Sequence, residues 1–218
     1  MASVKSYAAL TETGIIKGKG KHEYVFSGPS SLNLSFAVWL VDDYTQKEPL
    51  GEVRVTLNGE KITTLKPLKN MSGYHIFSGL PEGTYTLSVD SEFYFSEERI
   101  VDTSSFVNSK EPVVEIILKP KPLYHFPDRA MLIRGLLALL APEPDLLAGI
   151  TVKAILKSTG LEIRGIPDEK GEFVLYFREI IPRKADIILE IKGEGIEKTL
   201  SLLIEEGQNI YTGVISIP

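Results

Sequence analysis

Cysteine is absent from the 218 residues. That excludes disulfides, thiolate metal sites and a cysteine nucleophile. Histidine is scarce: the three residues His22, His75 and His125 lie far apart along the chain. Long apolar runs are missing too. The longest, Met131 to Ala141, is broken by Arg134 and Gly135 and falls well short of the roughly 20 residues of a membrane span. The opening MASVKSYAALTETG lacks the apolar core, about 7–15 residues long, of a secretory signal. The expectation is a protein that is cytoplasmic at synthesis and not inserted in a membrane. The glycosylation-like triplets Asn33-Leu34-Ser35 and Asn70-Met71-Ser72 carry no weight in that setting. A positive balance is lacking as well. The formal charge of -5 argues against nucleic acid as a partner, and the short run Lys17-Gly18-Lys19-Gly20-Lys21 reads as a solvated loop.

Catalytic constellations are equally hard to find. Gly18-Lys19-Gly20 runs into Lys21-His22 rather than the further glycine and helix of a phosphate loop. His22-Glu23 begins like a zinc-binding H-E-x-x-H, but position 26 is Phe26. His125 and Asp128 sit among prolines without a third ligand, and no G-x-S-x-G elbow occurs. The carboxylate pairs Asp42-Asp43, Glu97-Glu98 and Glu205-Glu206 fall at strand ends or turns. Neighbours on a strand point to opposite faces, so no pair makes a two-carboxylate site; they read as solvated turns. Asp42, Asp43 and Asp102 lack the loop motif of a calcium site. No catalytic, cofactor-binding or metal-ligating residue is assigned, and no cofactor is expected.

What the chain does contain is strands. Short, alternating apolar runs bounded by Gly, Pro, Asn and Asp occupy residues 35–43, 52–59, 73–80, 83–89 and 111–120, then 131–141, 150–160, 171–177, 185–193, 197–207 and 209–218. Val53, Val55 and Leu57 share one face while Arg54 and Thr56 share the other, the pattern of an antiparallel sheet with one wet side. With 43% hydrophobic and 24% charged residues the composition is that of a globular protein, and the length suits two domains of roughly 100 residues.

The two sets of strands lie over each other. Val53 precedes Gly73 by 20 residues and Ile150 precedes Gly171 by 21. Each glycine opens an aromatic-bearing strand that reaches Phe77 or Phe173. Leu80-Pro81 and Ile181-Pro182 precede the next strand in each set, and VVEIILKP and YTGVISIP close them. An internal duplication follows. The expected organisation is an arm or extra edge strand over 1–31, a first sandwich over 32–120, a Pro-rich linker over 121–129 and a divergent sandwich over 130–218. Three prolines within KPKPLYHFPD, residues 119–128, favour a stiff, extended spacer. Tyr124 and Phe126 are then placed to pack into the groove between the halves.

The stretch SGLPEGTYTLSV, residues 78–89, carries the most specific signature. Leu80, Pro81, Gly83 and Tyr85 form an L-P-x-G-x-Y turn, in which Pro81 sets φ, Gly83 allows a positive φ and Tyr85 enters the core. With Gly51-Glu52-Val53-Arg54-Val55 and the turn Asn70-Met71-Ser72-Gly73, this resembles the carboxypeptidase regulatory-like domain. That family implies a transthyretin-like, seven-stranded sandwich related to the Cna-B and prealbumin-like folds. In the second copy Asp168-Glu169-Lys170-Gly171 fits the same turn, but Arg183-Lys184-Ala185 replaces the later glycine. The fold class expected is all-β, two tandem antiparallel transthyretin-like sandwiches. The paired domains are also similar to double-sandwich accessory proteins of phage-tail-like contractile injection particles.

Contact residues are sought on aromatics and apolar loops. Trp39, flanked by Val38 and Leu40, reads as core. In Phe93-Tyr94-Phe95 alternation sends Tyr94 away from its neighbours, which makes it an edge cap or a docking ring for a partner or a sugar. Leu139, Leu140, Leu146 and Leu147 bracket Pro142-Glu143-Pro144-Asp145 and either fold over a sandwich end or present a surface. The candidate partner contacts are therefore Tyr94, Tyr124, Phe126, Leu139, Leu140, Leu146 and Leu147. Lys21 to Ser27 alternates enough for one edge strand, added to its own sheet or to a neighbour's. These features point to a structural or adaptor subunit of a larger assembly, with other proteins or further copies of itself as partners. A carbohydrate- or small-ligand-binding module is the alternative.

Overall fold

The computed structural model describes residues 34–60, 62–106, 109, 111–139, 147, 149–178 and 184–217. The first strands are β1 (Leu34–Asp42), β2 (Val53–Gly59), β3 (Ile62–Leu65), β4 (Leu68–Lys69), β5 (His75–Ser78), β6 (Thr84–Ser91), β7 (Glu97–Asp102) and β8 (Val113–Leu118), with a 3-10 turn over Thr103–Phe106. They form two sheets, ordered β4-β5-β1-β8 and β3-β2-β6-β7. Period-two alternation sends Phe36, Val38 and Leu40 of β1 inward with Phe77, Ile116 and Leu118. They meet Leu57, Tyr85, Leu87 and Val89 of the opposing sheet in one buried cluster. Each large side chain so buried stabilises the fold by about 1.5–3 kcal/mol.

The remaining strands are β9 (Met131–Leu139), β10 (Thr151–Leu156), β11 (Glu162–Gly165), β12 (Glu172–Phe177), β13 (Lys184–Gly193), β14 (Ile196–Glu205) and β15 (Asn209–Ile217). Their sheets are β12-β9-β15 and β11-β10-β13-β14, closed over a second cluster that includes Ile133, Leu137, Phe173, Leu175, Ile187 and Leu189. The chain is an all-β sandwich protein. Its strands pair antiparallel except at β1–β8 and β9–β15, which run parallel. In each half the first strand is flanked by the last on one side and by an antiparallel strand from the middle of the half on the other (β5 or β12), so the strand orders coincide, apart from the short β4.

The turns before β5 and β12 are alike bond for bond. Asn70 Oδ1 accepts from the amides of Ser72 (3.0 Å) and Tyr74 (2.9 Å), while Asp168 Oδ1 accepts from Lys170 and Glu172, both at 2.9 Å. Gly73 (φ 83°) and Gly171 (φ 82°) both adopt the left-handed conformation that closes this turn. The L-P-x-G-x-Y stretch differs from expectation in one detail. Gly83 has φ 158°, close to fully extended, and the left-handed residue is Gly79 at 69°. Tyr85 is buried as expected, and its hydroxyl donates to Pro81 O at 2.9 Å.

Four strands escape the hydrophobic pattern. β3, β4 and β11 are at most four residues long, and β7 is Glu-Glu-Arg-Ile-Val-Asp, mostly exposed. Trp39 is not core. It is half-buried on the outer face of β1, out of phase with Val38 and Leu40, and packs on Tyr74 at 4.8 Å between ring centroids. The arm 1–31, Leu140, Leu146 and Ile181-Pro182-Arg183 lie outside the described residues.

Candidate functional site, an aspartate and tyrosine joint

The two clusters meet where β1 ends. Asp42 continues the inward phase of Phe36, Val38 and Leu40, and its carboxylate is fully buried. Oδ1 accepts from the amides of Tyr44 (2.7 Å) and Thr45 (3.2 Å), a local turn that reverses the chain after β1. Oδ2 accepts from two hydroxyls, Tyr94 at 3.0 Å and Tyr124 at 2.5 Å. The Tyr94 hydroxyl in turn accepts from the amide of Leu50 at 2.9 Å. A buried carboxylate is tolerable only when its lone pairs are engaged by such donors. Burial pushes the Tyr94 hydroxyl up to about 12, and the neighbouring Asp42 charge adds to this. Burial raises Tyr124 further, with Asp42 again contributing. Both phenols thus stay protonated donors at neutral pH.

Asp42 therefore ties three separate segments together: the end of β1, the β6–β7 connection and the stretch after β8. Backbone pairing reinforces the third link. Phe95 N donates to Lys119 O at 3.0 Å and Lys121 N to Phe93 O at 2.8 Å, forming a bridge between Tyr94 and Pro120. The proline-rich stretch is thereby strapped to the first sheet pair along its opening residues.

Asp43, one residue on, faces the other way. Its Oδ2 accepts from the Tyr176 hydroxyl on β12 at 2.5 Å, and its Oδ1 pairs with Arg178 at 3.2 Å. Arg178 also donates to Asp43 O at 3.0 Å. Asp42, the last residue of β1, and Asp43, the first of the turn that follows, thus serve different partners: Tyr94 and Tyr124 in one case, Tyr176 and Arg178 in the other.

Aromatic rings fill the space around these bonds. Tyr44 meets Phe126 edge-on at 5.0 Å and Tyr176 at 5.7 Å. Phe126 contacts Tyr124 at 4.6 Å and packs on Ala130, Leu132 and Val174, the outer face of β9 and β12. The Arg134 guanidinium lies 5.4 Å from the Phe126 ring centroid and donates to Pro122 O at 2.6 Å. Burial lowers the Arg134 value from its ordinary position. Beside the joint lies a cleft of about 540 Å³ between Tyr44, Arg129, Phe177, Arg178 and Glu206. No group of three or more His, Asp or Glu side chains suited to a metal ion occurs among the described residues.

Several expectations change here. Tyr94 and Tyr124 are not contact rings; both are buried, because their hydroxyls are held by Asp42. In Phe93-Tyr94-Phe95 the middle ring enters the core, and Phe93 is half-buried against His125 at 4.9 Å. Asp42-Asp43 is no solvated turn but the centre of the joint. Phe126 packs on Ala130, Leu132 and Val174 rather than on a free surface. Leu139 and Leu147 are half-buried against the second cluster. Tyr44, Arg134, Tyr176 and Arg178 were not singled out from the sequence. Their partners lie up to 135 residues away, and no local pattern encodes such pairings.

Tyr176→Phe tests the cross-half bond. Its loss removes a hydrogen bond to a carboxylate, worth roughly 1.5–3 kcal/mol. The expected result is a lower denaturant midpoint together with faster proteolysis within residues 119–130. Unchanged cleavage would show that the bond does not restrain the joint.

No protein-family model matches the chain. A search of curated proteins likewise finds no match. Among solved structures the chain is similar to the TIE protein of Bacillus anthracis, at 16% identity and a TM-score of 0.30, covering 84% of this chain and 33% of that one. It spans about a third of the length of that protein. A Streptococcal ancillary pilin (9% identity, TM-score 0.27) and the major pilin subunit of Bacillus cereus (10%, 0.28) are each matched over 84% of this chain and 68% of their own.

Proposed function

We propose that the chain is a non-catalytic structural or adaptor subunit of a larger protein assembly, made of two sandwich units over 32–120 and 130–218 with 121–129 as the linker. The observation that carries this is the joint. Asp43 bonds Tyr176 and Arg178 across the two halves, while Asp42 pins the linker. A fixed relative orientation is what a part of a rigid assembly requires, whereas a flexible tether would suit independent modules. Its partners would be other proteins or further copies of the chain. Among assemblies, a phage-tail-like contractile injection particle is the specific candidate, with the subunit made in the cytoplasm and released within the particle. The sugar-binding alternative loses its anchor, since the Tyr94 ring is buried.

Gentle affinity capture from the cells that make the protein tests the proposal. Elution within a high-mass particle, with its partners identified by mass spectrometry, is expected. Elution as a lone 24.1 kDa monomer would overturn it.

A further inference from the structure

In each half the last strand lies at an edge of its sheet. Among the described residues β8 pairs with β1 alone and β15 with β9 alone. Ala37 N donates to Pro112 O and Asp43 N to Leu118 O. Alternate carbonyls along β8 therefore turn toward β1, and those of Val113, Glu115 and Ile117 turn outward. Such an edge is a template for another strand. β8 offers Val113-Val114-Glu115-Ile116-Ile117-Leu118, in which Glu115 is the single charged residue, and β15, from Asn209 to Ile217, has none. Both are rich in β-branched residues, the composition that pairs most readily.

Both edges are nevertheless engaged, and by the same device. β7 and β14 are edge strands of the facing sheets, and each sends a cation across the side of its sandwich. Arg99 of β7 donates from Nη1 to Glu115 O at 2.8 Å. Lys198 of β14 donates from Nζ to Ser216 O at 3.0 Å. Facing sheets stand roughly 10 Å apart, a gap that a long basic side chain bridges. β7 and β14 carry charges of their own, Glu97, Glu98, Arg99 and Asp102 on one and Glu197, Lys198 and Glu205 on the other. The strands poor in charge are the ones that receive a cation from a neighbour.

We propose that Arg99 and Lys198 are edge guards, which keep β8 and β15 from adding the same strand of a second copy. A strand approaching either edge must displace the guard from the carbonyl it occupies and leave its charge beside apolar neighbours, which is costly. Ile117 is 46% exposed and Val214 60%, so an added strand would cover apolar area once the cation is gone. The two edges differ in one respect. β15 has a bulge at Gly213 (φ 78°), where its pairing with β9 is interrupted between Tyr211 and Val214, and such a bend also discourages edge pairing. β8 pairs with β1 without interruption, so it depends more heavily on Arg99. The guarding concerns pairing between copies and does not rest on the assembly reading, because contacts made through other surfaces would survive the loss of both cations.

Sedimentation velocity of the full chain tests this. Arg99→Ser combined with Lys198→Ser is expected to raise the weight-average mass about twofold or more over the unsubstituted chain at equal concentration. Of the single substitutions, Arg99→Ser is expected to have the larger effect. Arg99→Lys with Lys198→Arg keeps both cations and leaves the mass unchanged. Adding Ile117→Lys and Val214→Lys to the serine pair returns a charge to each edge, and the mass is expected to fall back. An unchanged mass in the serine pair would overturn the proposal. So would association that persists after Ile117→Lys and Val214→Lys, since it would then run through surfaces other than these edges.

Discussion

Asp42→Ala lowers the unfolding free energy by about 3–5 kcal/mol, the size of loss expected when one member of a buried, hydrogen-bonded charge group is removed. The substitution strands two buried phenol hydroxyls and the amides of Tyr44 and Thr45, all of which the carboxylate now satisfies. For a chain of this length the loss corresponds to a fall in melting temperature of about 10 °C. Asp42→Asn is the informative companion. Its Oδ1 still accepts from the two amides, and the phenols can reorient toward the new NH2, so a loss nearer 1–2 kcal/mol is expected. Chemical denaturation of both variants checks this. If alanine and asparagine cost the same, the carboxylate is not the hub of the joint.

Gly171→Ala is the second large effect. The backbone there has φ +82°, and an added Cβ would lie 2.3 Å from the carbonyl oxygen of Leu137. Leu137 belongs to β9, the central strand between β12 and β15, and its amide is bonded to Gly171 O at 2.8 Å. That backbone cannot withdraw without breaking the sheet. A left-handed alanine costs about 1 kcal/mol by itself, and the clash brings the total to about 3 kcal/mol or more. Gly73→Ala, at the same turn in the first half, meets only the tip of Trp39 at 3.1 Å and the Glu48 side chain at 3.4 Å. The half-buried Trp39 and the exposed Glu48 can yield, so the cost is expected to stay near 1 kcal/mol. Equal losses at the two glycines would contradict the contact geometry.

The two glycines also show how far a sequence reading extends. Their D/N-x-x-G spacing was legible, and the structure gives both turns the same hydrogen bonds. Period-two alternation likewise placed Tyr85, Leu87 and Val89 in the core. The same alternation misplaced Trp39, because apolar residues fill both faces of β1 and the pattern does not say which face is covered. It misplaced Tyr94 for a related reason: in Phe93-Tyr94-Phe95 all three rings are apolar enough to be buried, and only the Asp42 carboxylate selects the middle one.

Hydrophobic periodicity and turn chemistry are local, so the sequence alone determined the all-β class, most strand positions and the repeated plan. The joint is different. Asp42 with Tyr94 and Tyr124, and Asp43 with Tyr176 and Arg178, are pairings across 52 to 135 residues. Residues so distant become partners only in the folded chain, where the sheets and the stretch after β8 bring them together. An Asp-Asp pair at a strand end looks the same in sequence whether it meets water or tyrosine. Tertiary packing decided which, since only packing removes the water and supplies the hydroxyls in its place.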